Sequence, residues 1–469
     1  MTTEPRPATR VERDSMGDME VPAEALYGAS TQRAVLNFPI SGQRFPRAFI
    51  RALALIKLAA AETNAALGLL DADVAQAIAA AAREVADGAR DEQFPIDVYQ
   101  TGSGTSTNTN MNEVVANLAS RGLGGRKVHP NDDVNKCQSS NDTIPTALQL
   151  SAAMSIEEAL LPALDALRAA LDAKADDLWP VVKTGRTHLQ DATPIRLGQE
   201  FRGYAGQVDE SIRRARAAQA ELCAVPLGGT AVGTGINAHP DYAAGATRRL
   251  ASLTGLDVRE TTNHFHAQAS LDAAIAAHGA IRTIALSLWK IGSDVRLMAM
   301  GPRAGLAEIA LPETQPGSSI MPGKVNPVIV ESLTMVVARV VGNDTTISFA
   351  QTGSLLELNV MLPITAVALL ESIDLLAAAA RNFADRCVAG IVATDRGPAL
   401  VEQGLMLATA LAPEIGYDAA AALAKEAFKT GRTIRDLAAE RGIAADRLDE
   451  LLDPAAMTEP GLGGGPAGG

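Results

Sequence analysis

Residues 317–327 read GSSIMPGKVNP, and the rest of the chain can be interpreted around this segment. Two prolines and two glycines predict a loop, because neither a helix nor a strand tolerates that density of both residue types. Apolar residues at helical spacing flank it, over 271–298 and 328–341. The loop contains two hydroxyls, an ammonium group, a carboxamide and free backbone N–H groups. Such groups can hold a carboxylate and stabilise negative charge developing on it, whereas the simpler interpretation is a polar connector.

Two nucleotide-binding motifs are excluded. A P-loop has four residues between its glycines and Ser or Thr after its lysine, but here five residues separate Gly317 from Gly323, and Val325 follows Lys324. Residues 233–238, GTGINA, imitate the dinucleotide fingerprint, but no β-branched run precedes them to serve as a first strand.

The composition indicates closely packed helices. The chain of 469 residues is 47% hydrophobic but only 3% aromatic, so its core must consist of Ala, Leu, Ile and Val. The net charge of −13 argues against nucleic acid or an anionic membrane as the main partner. Three dispersed cysteines and one H-x-H pair, His264 and His266, predict neither a disulfide framework nor a metal site. The sequence predicts no signal segment and no apolar run long enough for a bilayer, hence a soluble, cytoplasmic protein.

Helical periodicity extends over most of the chain. Residues 49–89 predict two helices joined near 68–71. Five leucines at steps of four, three, four and seven predict a bundle helix in which Pro162 implies a kink; they are Leu160, Leu164, Leu167, Leu171 and Leu178. The stripe at 271–298 predicts a buried helix, with His278 as a hydrogen-bonded core residue. Further helices are predicted at 328–349 and 355–384.

The predicted fold class is mainly α with three domains and a central bundle of long helices. No strand alternation of convincing length precedes residue 390, which argues against a parallel sheet. The domains are an N-terminal, mostly helical one (1–138), a central bundle with the GSS loop (139–393) and a small C-terminal helical one (394–469). Residues 1–15 are predicted to be a mobile lead-in, and the glycine-rich tail from 461 is predicted to be disordered.

Four polar clusters border long helices, and helices can carry separate loops towards one point. They are 102–113, expected to cap a helix from Val114, then 129–142, 185–191 and 317–327. Their Ser, Thr, Asn, His and Lys residues include no metal set, no thiol nucleophile and no nucleotide loop. This inventory predicts a pocket for a small polar anion. The pocket could remove a proton next to a carboxylate, with the resulting dianion held by Lys324, Asn326 and loop N–H groups.

Six segments together resemble the fumarase/aspartase superfamily. The GSSIMPGKVNP loop looks like its signature, and five other segments resemble family segments in the expected order: GSGT (102–105), HPND (129–132), SSN (139–141), GRTH (185–188) and GGTAVGTG (228–235). The resemblance covers the chain from about Val11 to Leu452. Within the superfamily it is strongest to the iron-independent class II fumarate hydratase family.

The resemblance implies reversible hydration of fumarate to (S)-malate without a cofactor. By the same resemblance Ser318, as an alkoxide favoured by loop amides and Lys324, would take the C3 proton of malate. His188, polarised by Glu331, would handle the proton of the water. The residues implied to hold or adjoin the substrate are Ser103, Thr105, Ser139, Ser140, Asn141, Thr187, Ser319, Lys324 and Asn326. A second anion site is implied at His129, Asn131 and Asp132.

The resemblance also implies a fumarase/aspartase-like fold assembled as a homotetramer. The long helices of four chains would form a twenty-helix core, and each active site would draw loops from three chains. The apolar stripe at 271–298 is compatible with burial by other subunits or by its own. From the residues alone, serine is a weak base unless its anion is stabilised, and His188 fits a structural role as well as a catalytic one.

Two other functions stay open at this point. Aspartate ammonia-lyase shares the fold and the serine loop, and three segments look aspartase-like: 135–138, 301–306 and 457–460. Ser103, Ser140 and His188 favour fumarase instead, while Asp133 and Thr109 depart from the usual fumarase pattern. A non-catalytic helical scaffold is the third interpretation. Assays with malate, with aspartate, and with fumarate in the presence and absence of ammonia distinguish the three interpretations.

Overall fold

The computed structural model describes residues 8–461, which are mainly α-helical as predicted. Within this range the α-helices are α1 (Ala29–Asn37), α2 (Arg47–Ala66), α3 (Ala72–Ala86), α4 (Thr105–Gly122), α5 (Ser140–Ser155), α6 (Leu161–Asp177), α7 (Leu197–Leu222), α8 (Tyr242–Thr254), α9 (His264–Ala269), α10 (Asp272–Met298), α11 (Val328–Ala350), α12 (Leu362–Arg386), α13 (Arg396–Val401), α14 (Ala412–Ile415), α15 (Tyr417–Thr430), α16 (Ile434–Glu440) and α17 (Ala445–Leu451).

The strands of the described residues are short and pair two by two. They are β1 (Thr9–Asp14), β2 (Gly17–Pro22), β3 (Val182–Thr187), β4 (Gln190–Arg196), β5 (Ala224–Val225), β6 (Arg259–Glu260), β7 (Ile309–Ala310), β8 (Ser354–Leu355), β9 (Leu358–Asn359) and β10 (Val392–Ala393). The pairs β1–β2, β3–β4, β7–β10 and β8–β9 are antiparallel, and β5–β6 is parallel.

Short strands do precede residue 390, but, as predicted, none of the described pairs forms an extended parallel sheet. Strands of two to seven residues are too short for apolar alternation to stand out from the sequence. The prediction that residues 1–15 are a mobile lead-in was wrong in part, because residues 9–14 form β1 and pair with β2. Residues 1–7 and most of the glycine-rich tail, 462–469, lie outside the described residues.

The described chain divides into two compact units, and each long helix among α6, α7, α10, α11 and α12 contributes residues to both. The first unit contains residues 8–162, 213–285 and 337–377, and the second contains 163–212, 286–336 and 378–461. The three-domain division with boundaries after 138 and 393 stays a prediction.

The first unit has a helical core around α2. The prediction of two helices over 49–89 is confirmed, and α2 packs against α3, α5 and α8. Phe49, Leu53 and Ile56 project from the buried face of α2 and are completely covered. Their spacing of four and three residues is what an amphipathic helix needs to bury one continuous stripe.

Helix α4 begins earlier than the sequence suggested. The segment 102–113 was expected to cap a helix from Val114, but the helix starts at Thr105, and its N-cap, Gly104, is left-handed with φ of 71°. Asn108, Asn110 and Asn112 are buried in this helix, so its first turns present polar side chains to the interior. An apolar periodicity could not reveal them.

The leucine-rich helix is interrupted close to the position that Pro162 predicts. Residues 156–160 form a π-helical turn between α5 and α6, immediately before Pro162. Proline supplies no backbone N–H, so a local change of hydrogen-bond pattern there is expected.

The second unit contains the β3–β4 hairpin and a small C-terminal cluster of helices. The hairpin contacts α13 and the turn at 405–411. The C-terminal helices share a core of buried apolar side chains, which include Leu407, Leu411, Leu423, Leu437, Leu448 and Leu452. Gly416, Gly431 and Gly442 end helices there, as predicted, with positive φ angles.

The expectation that no apolar run could span a bilayer was wrong by length and composition. The segment Leu362–Gly390, which includes α12, has a mean hydropathy of 1.7 in its most apolar window. Of that window, 72% is buried within the protein, which is the behaviour of a core helix.

Candidate active site

Two helix N-termini in the first unit carry a chain of hydroxyl groups. Thr105 Oγ1, at the start of α4, lies 2.8 Å from Ser103 Oγ and 2.7 Å from Ser140 Oγ, at the start of α5. Gly104 is needed between them, because a Cβ at that position would lie 2.8 Å from Ile144 Cγ2. Hydroxyls at helix N-termini suit a carboxylate, since both the O–H groups and the helix dipoles favour an anion.

The start of α5 is fixed by a capping box and by a buried carboxylate. Ser139 Oγ accepts the N–H of Asn141, and Asp142 Oδ1 accepts the N–H of Ser139 at 2.9 Å. Asp142 Oδ2 accepts the N–H groups of Gly228 and Thr230, both at 3.0 Å. The hydroxyl of Ser139 therefore serves the helix cap in this chain.

Asn141 connects α5 to the glycine-rich segment 228–235. Its Nδ2 donates to Ala231 O at 2.8 Å, while Asp142 holds the same segment at Gly228 and Thr230. Burial raises the pKa of Asp142, and the N–H donors of Ser139, Gly228 and Thr230 oppose that rise. Four predicted substrate residues, Ser103, Thr105, Ser140 and Asn141, thus lie at one edge of the first unit's core.

The predicted second anion site borders a cleft of about 660 Å³ in the same unit. His129 and Asn131 line this cleft, together with the cationic Arg13, Arg121 and Lys127. His129 Nδ1 accepts the N–H of Asp132 at 3.0 Å, so Asp132 orients the ring from outside the lining. As many carboxylates as cations line the cleft, so its charge does not by itself favour an anion, and the second anion site stays a prediction.

In the second unit, residues 317–327 form the loop that the sequence predicts. Gly317 N–H donates to Lys324 O at 2.9 Å, and Asn326 Nδ2 donates to Gly317 O at 2.5 Å. A Cβ at Gly317 would lie 2.2 Å from Lys324 O, so only glycine allows this closure. Ser318 Oγ accepts the N–H groups of Ile320 at 3.2 Å and of Met321 at 2.9 Å. Two donors aimed at one hydroxyl oxygen favour its anionic form.

The β3–β4 hairpin presents Thr187 and His188. Thr187 pairs with Gln190 across the hairpin, and His188 and Leu189 form its tip with left-handed φ angles. His188 is exposed, and Glu331 is exposed in the first turn of α11. Ser319 and Lys324 are also exposed on the loop.

The single chain does not join the predicted catalytic side chains to one another. Among residues 8–461, no hydrogen bond or ion pair links His188, Ser318, Lys324 and Glu331. The hydroxyl chain with Asn141 belongs to the first unit, and these four residues belong to the second. The part of the chain that is described also has no group of three His, Cys, Asp or Glu side chains suited to a metal ion.

Sequence reasoning missed a buried lysine behind the site segments of the first unit. Lys57 on α2 is fully buried, and its Nζ donates to Asn135 Oδ1 at 3.1 Å and Gln138 Oε1 at 2.9 Å. Burial lowers the pKa of Lys57 to about 7, against the opposing charge of Asp142. The signal was present in residues 52–62, ALALIKLAAAE, where the lysine occupies the apolar face. Through its bonds to Asn135 and Gln138, Lys57 fixes the segment 135–138, which leads into Ser139.

Two family models match separate parts of the chain, and curated relatives match it over nearly its whole length. Residues 17–342 match the family described as "Lyase", and residues 407–459 match "Fumarase C C-terminus". A curated relative from Bradyrhizobium diazoefficiens, "Fumarate hydratase class II 2", is 51% identical over 463 residues, which are 97% of this chain and 98% of the relative. "Fumarate hydratase class II" from Mycobacterium tuberculosis is 52% identical over 96% of each chain.

A solved structure agrees with these relatives. The class II fumarase of Schistosoma mansoni has a TM-score of 0.94 and 39% sequence identity, over 96% of this chain and 99% of that one. The similarity therefore extends over both units, including all the polar segments that carry the predicted site.

Proposed function

The chain belongs to the class II fumarate hydratase family of lyases, and from this we propose that it catalyses the reversible hydration of fumarate to (S)-malate. The observation that carries the proposal is the 51% identity to a fumarate hydratase along 97% of the chain. The site geometry agrees with it, because hydroxyls, amides and a lysine suit a dicarboxylate and a carbanion-like intermediate.

Ser318 is the base of the proposed reaction. In the direction from malate, its alkoxide takes the C3 proton and the electron pair of that C–H bond moves into the adjacent carboxylate. The N–H groups of Ile320 and Met321 on Ser318 Oγ support this role, since they stabilise the alkoxide. In the same loop, the ammonium group of Lys324 and the carboxamide of Asn326 hold the resulting dianion.

His188 handles the second proton transfer. The C2–O bond breaks as His188 protonates the departing hydroxyl, which leaves as water, and hydration reverses these steps. Glu331 orients and polarises the imidazole. No hydrogen bond or ion pair joins His188 to Glu331 or Ser318 within residues 8–461, and in this proposal these residues come from more than one subunit.

The substrate carboxylates and hydroxyl are held by the remaining polar residues of the site. Thr105, Ser140 and Asn141 supply donors at the start of α4 and α5, where the helix dipoles add to the attraction. Thr187 and Asn326 complete the set, with Ser103, Ser139 and Ser319 adjoining it. His129, Asn131 and Asp132 form a second anion site.

The active assembly in this proposal is a homotetramer with a twenty-helix core. Exposed apolar side chains on the long helices support it, because water-exposed surfaces of this kind mark interfaces. They include Leu286, Trp289 and Leu297 on α10 and Met335 and Phe349 on α11. The proposed enzyme needs no metal, works in the cytoplasm and belongs to the tricarboxylic acid cycle.

Purified protein assayed with malate, with aspartate, and with fumarate plus or minus ammonia tests the function. Fumarate formation from malate is expected. Ammonia-dependent consumption of fumarate would instead identify an aspartate ammonia-lyase. If no substrate is converted, the remaining interpretation is a non-catalytic helical scaffold.

Replacement of the base tests the mechanism. Ser318→Ala should lower kcat by the equivalent of about 3–4 kcal/mol while KM changes little, because the hydroxyl acts mainly in the transition state. Ser252→Ala, an exposed serine on α8, is the matched control and should keep the wild-type rate. Near-normal turnover of Ser318→Ala would reject the assignment.

A further inference from the structure

The hairpin that carries Thr187 and His188 ends in an unfavourable turn. β3 and β4 are joined by two residues, His188 and Leu189, whose φ angles are 55° and 58°. A two-residue turn with both residues left-handed is of type I′, which Asn and Gly dominate because larger side chains crowd the backbone there. Neither residue here relieves that crowding. The strands must therefore stabilise the turn if the imidazole is to keep one position.

A β-bulge lies between the base of β3 and its tip. The register shifts between the pairs Thr184–Pro194 and Arg186–Asp191, so two residues of β4, 192 and 193, face the single residue Gly185 of β3. A Cβ at Gly185 would lie 2.6 Å from Thr193 O, so no larger residue fits. Bulges redirect the side chains that follow them, often next to active sites. Arg186 is the first residue of β3 that pairs with β4 beyond the bulge, and it stands two positions before His188.

Arg186 belongs to a buried cluster of two cations and two carboxylates. Its Nη1 donates to Glu308 Oε2 at 3.0 Å, and its Nη2 lies 2.9 Å from Oε1 at ion-pair distance, so the planar guanidinium faces both carboxylate oxygens. Lys183 Nζ lies 2.9 Å from Glu200 Oε1 and 3.1 Å from Glu308 Oε2. The side chains of Glu308 and Lys183 are 0% and 2% exposed. At this depth each charge needs its partners, so the geometry is stiff.

Glu308 is itself fixed by the backbone on both sides. Its N–H donates to Met298 O at 2.9 Å, and its carbonyl accepts the N–H of Thr394 at 3.0 Å. The backbone of Glu308 is therefore hydrogen-bonded both to the end of α10 and to the residue that follows β10. Its carboxylate holds Arg186 from this fixed position. A strand with one residue anchored in this way keeps its neighbours in register.

We infer that Arg186, held by Glu308, is a positioning residue that fixes the left-handed turn of His188 for proton transfer. Lys183, which also pairs with Glu200, acts through the same pair by balancing part of the negative charge of Glu308. This inference rests on the proposed function, because it assigns Arg186 a role through the imidazole. An ion cluster that served stability alone would not depend on the identity of residue 188.

The conservative variant Arg186→Lys tests the role. Lysine keeps the charge but cannot form two parallel bonds to one carboxylate. A displaced imidazole should lower kcat roughly 10- to 100-fold, since small misplacements of a catalytic group have effects of this size. The factor by which kcat falls should exceed the factor by which KM for malate rises, because His188 acts in the transition state, whereas Thr187 on the same hairpin only holds the substrate. Amide hydrogen exchange at residues 187–190 should become faster.

Arg202→Lys is the matched control. Arg202 lies on α7 and is half exposed, with ion pairs to Asp172 and Asp176. The same chemical change there should leave kcat, KM and exchange of the hairpin amides unchanged. An equal loss of kcat in both variants would overturn the inference.

A double-mutant cycle separates positioning from stability. In a His188→Asn background, which keeps a residue suited to the left-handed turn, Arg186→Lys should lower the residual kcat less than about twofold, since its partner in the effect is gone. The same fold loss in both backgrounds would overturn the inference.

If Arg186→Lys does not fold, Glu308→Asp replaces it, with the same expected kcat loss and the same cycle. Wild-type protein without hydratase turnover would reject the proposed function. The exchange comparison would then still decide whether Arg186 fixes the hairpin, and unchanged exchange would overturn that part as well.

Discussion

At the scale of single residues, Asp142 shows how a buried charge shapes a polar site. Its two oxygens accept the N–H groups of Ser139, Gly228 and Thr230 and the hydroxyl of Thr143, and the side chain is completely buried. The residue joins the start of α5, with Ser140 and Asn141, to the glycine-rich segment. A carboxylate is needed here because every partner is a donor.

We predict that Asp142→Asn destabilises the protein and weakens substrate binding. Either orientation of the amide directs its NH₂ group towards N–H donors. One or two buried donors would lose their acceptor, at a cost of about 1–3 kcal/mol each. The urea concentration at the midpoint of unfolding should fall. KM for malate should rise by a larger factor than kcat falls, because residue 142 no longer fixes the position of the neighbouring Asn141.

Asp257→Asn is the control for this change, since Asp257 is 90% exposed beside Arg259. It should alter neither stability nor KM. A variant at 142 with wild-type stability and KM would contradict the role given to the carboxylate.

The sequence could reveal functional residues only where several of them lie close together in one segment. Ser318, Lys324 and Asn326 share one Gly- and Pro-rich loop, so the segment itself indicated a site. Glu308 and Lys57 act through partners far away in the chain, and only the folded structure shows those partners. The left-handed turn at His188 was equally invisible, because neither His nor Leu signals it.

At the scale of elements, the long helices followed from periodicity and the short elements did not. α10 and α11 agree with their predicted spans within a few residues, because they bury apolar stripes at steps of three and four. α12 starts at Leu362, later than predicted, because β8 and β9 occupy 354–359. Apolar periodicity did not predict the first turns of α4, since the buried side chains there are amides.

His278 gives α10 a pH-dependent connection to α11 and α12. Its Nδ1 lies 2.9 Å from Asp344 Oδ1 and its Nε2 lies 2.9 Å from Ser372 Oγ, so the predicted hydrogen-bonded core role is confirmed. Burial lowers the pKa of His278 from its usual 6.5, against the raising influence of Asp344. The unfolded chain therefore takes up a proton at a higher pH than the folded protein does.

Stability should consequently fall as the pH is lowered through 6.5, since the unfolded state binds more protons between the folded pKa and that value. The slope contributed by one such group is at most about 1.4 kcal/mol per pH unit. Urea unfolding of the wild type and His278→Gln between pH 7.5 and pH 5, at fixed protein concentration, measures it. The variant should lose this slope. His239→Gln, at an exposed histidine, should keep it, and parallel curves for wild type and His278→Gln would contradict the prediction.

At the scale of the whole molecule, the superfamily resemblance explains most of what could be foreseen. The mainly helical fold and the family are confirmed along nearly the entire chain. What the sequence could not separate is burial within a chain from burial between chains, because apolar stripes look the same in both cases. Phe349 on α11 and Trp289 on α10 illustrate this, since both are exposed in the single chain at 64% and 46%.

Mixing two inactive variants tests whether subunits share active sites. Ser318→Ala and Asn141→Ala should each be nearly inactive as pure variants. If a site takes Ser318 from one chain and Asn141 from another, dissociating and reassociating an equal mixture should restore about a quarter of wild-type activity by random assortment. Ser318→Ala mixed with Lys324→Ala is the control, because both residues come from one loop and every site lacks one of them. Recovery in the first mixture alone is the expected result, and no recovery there would show that Ser318 and Asn141 act within one chain.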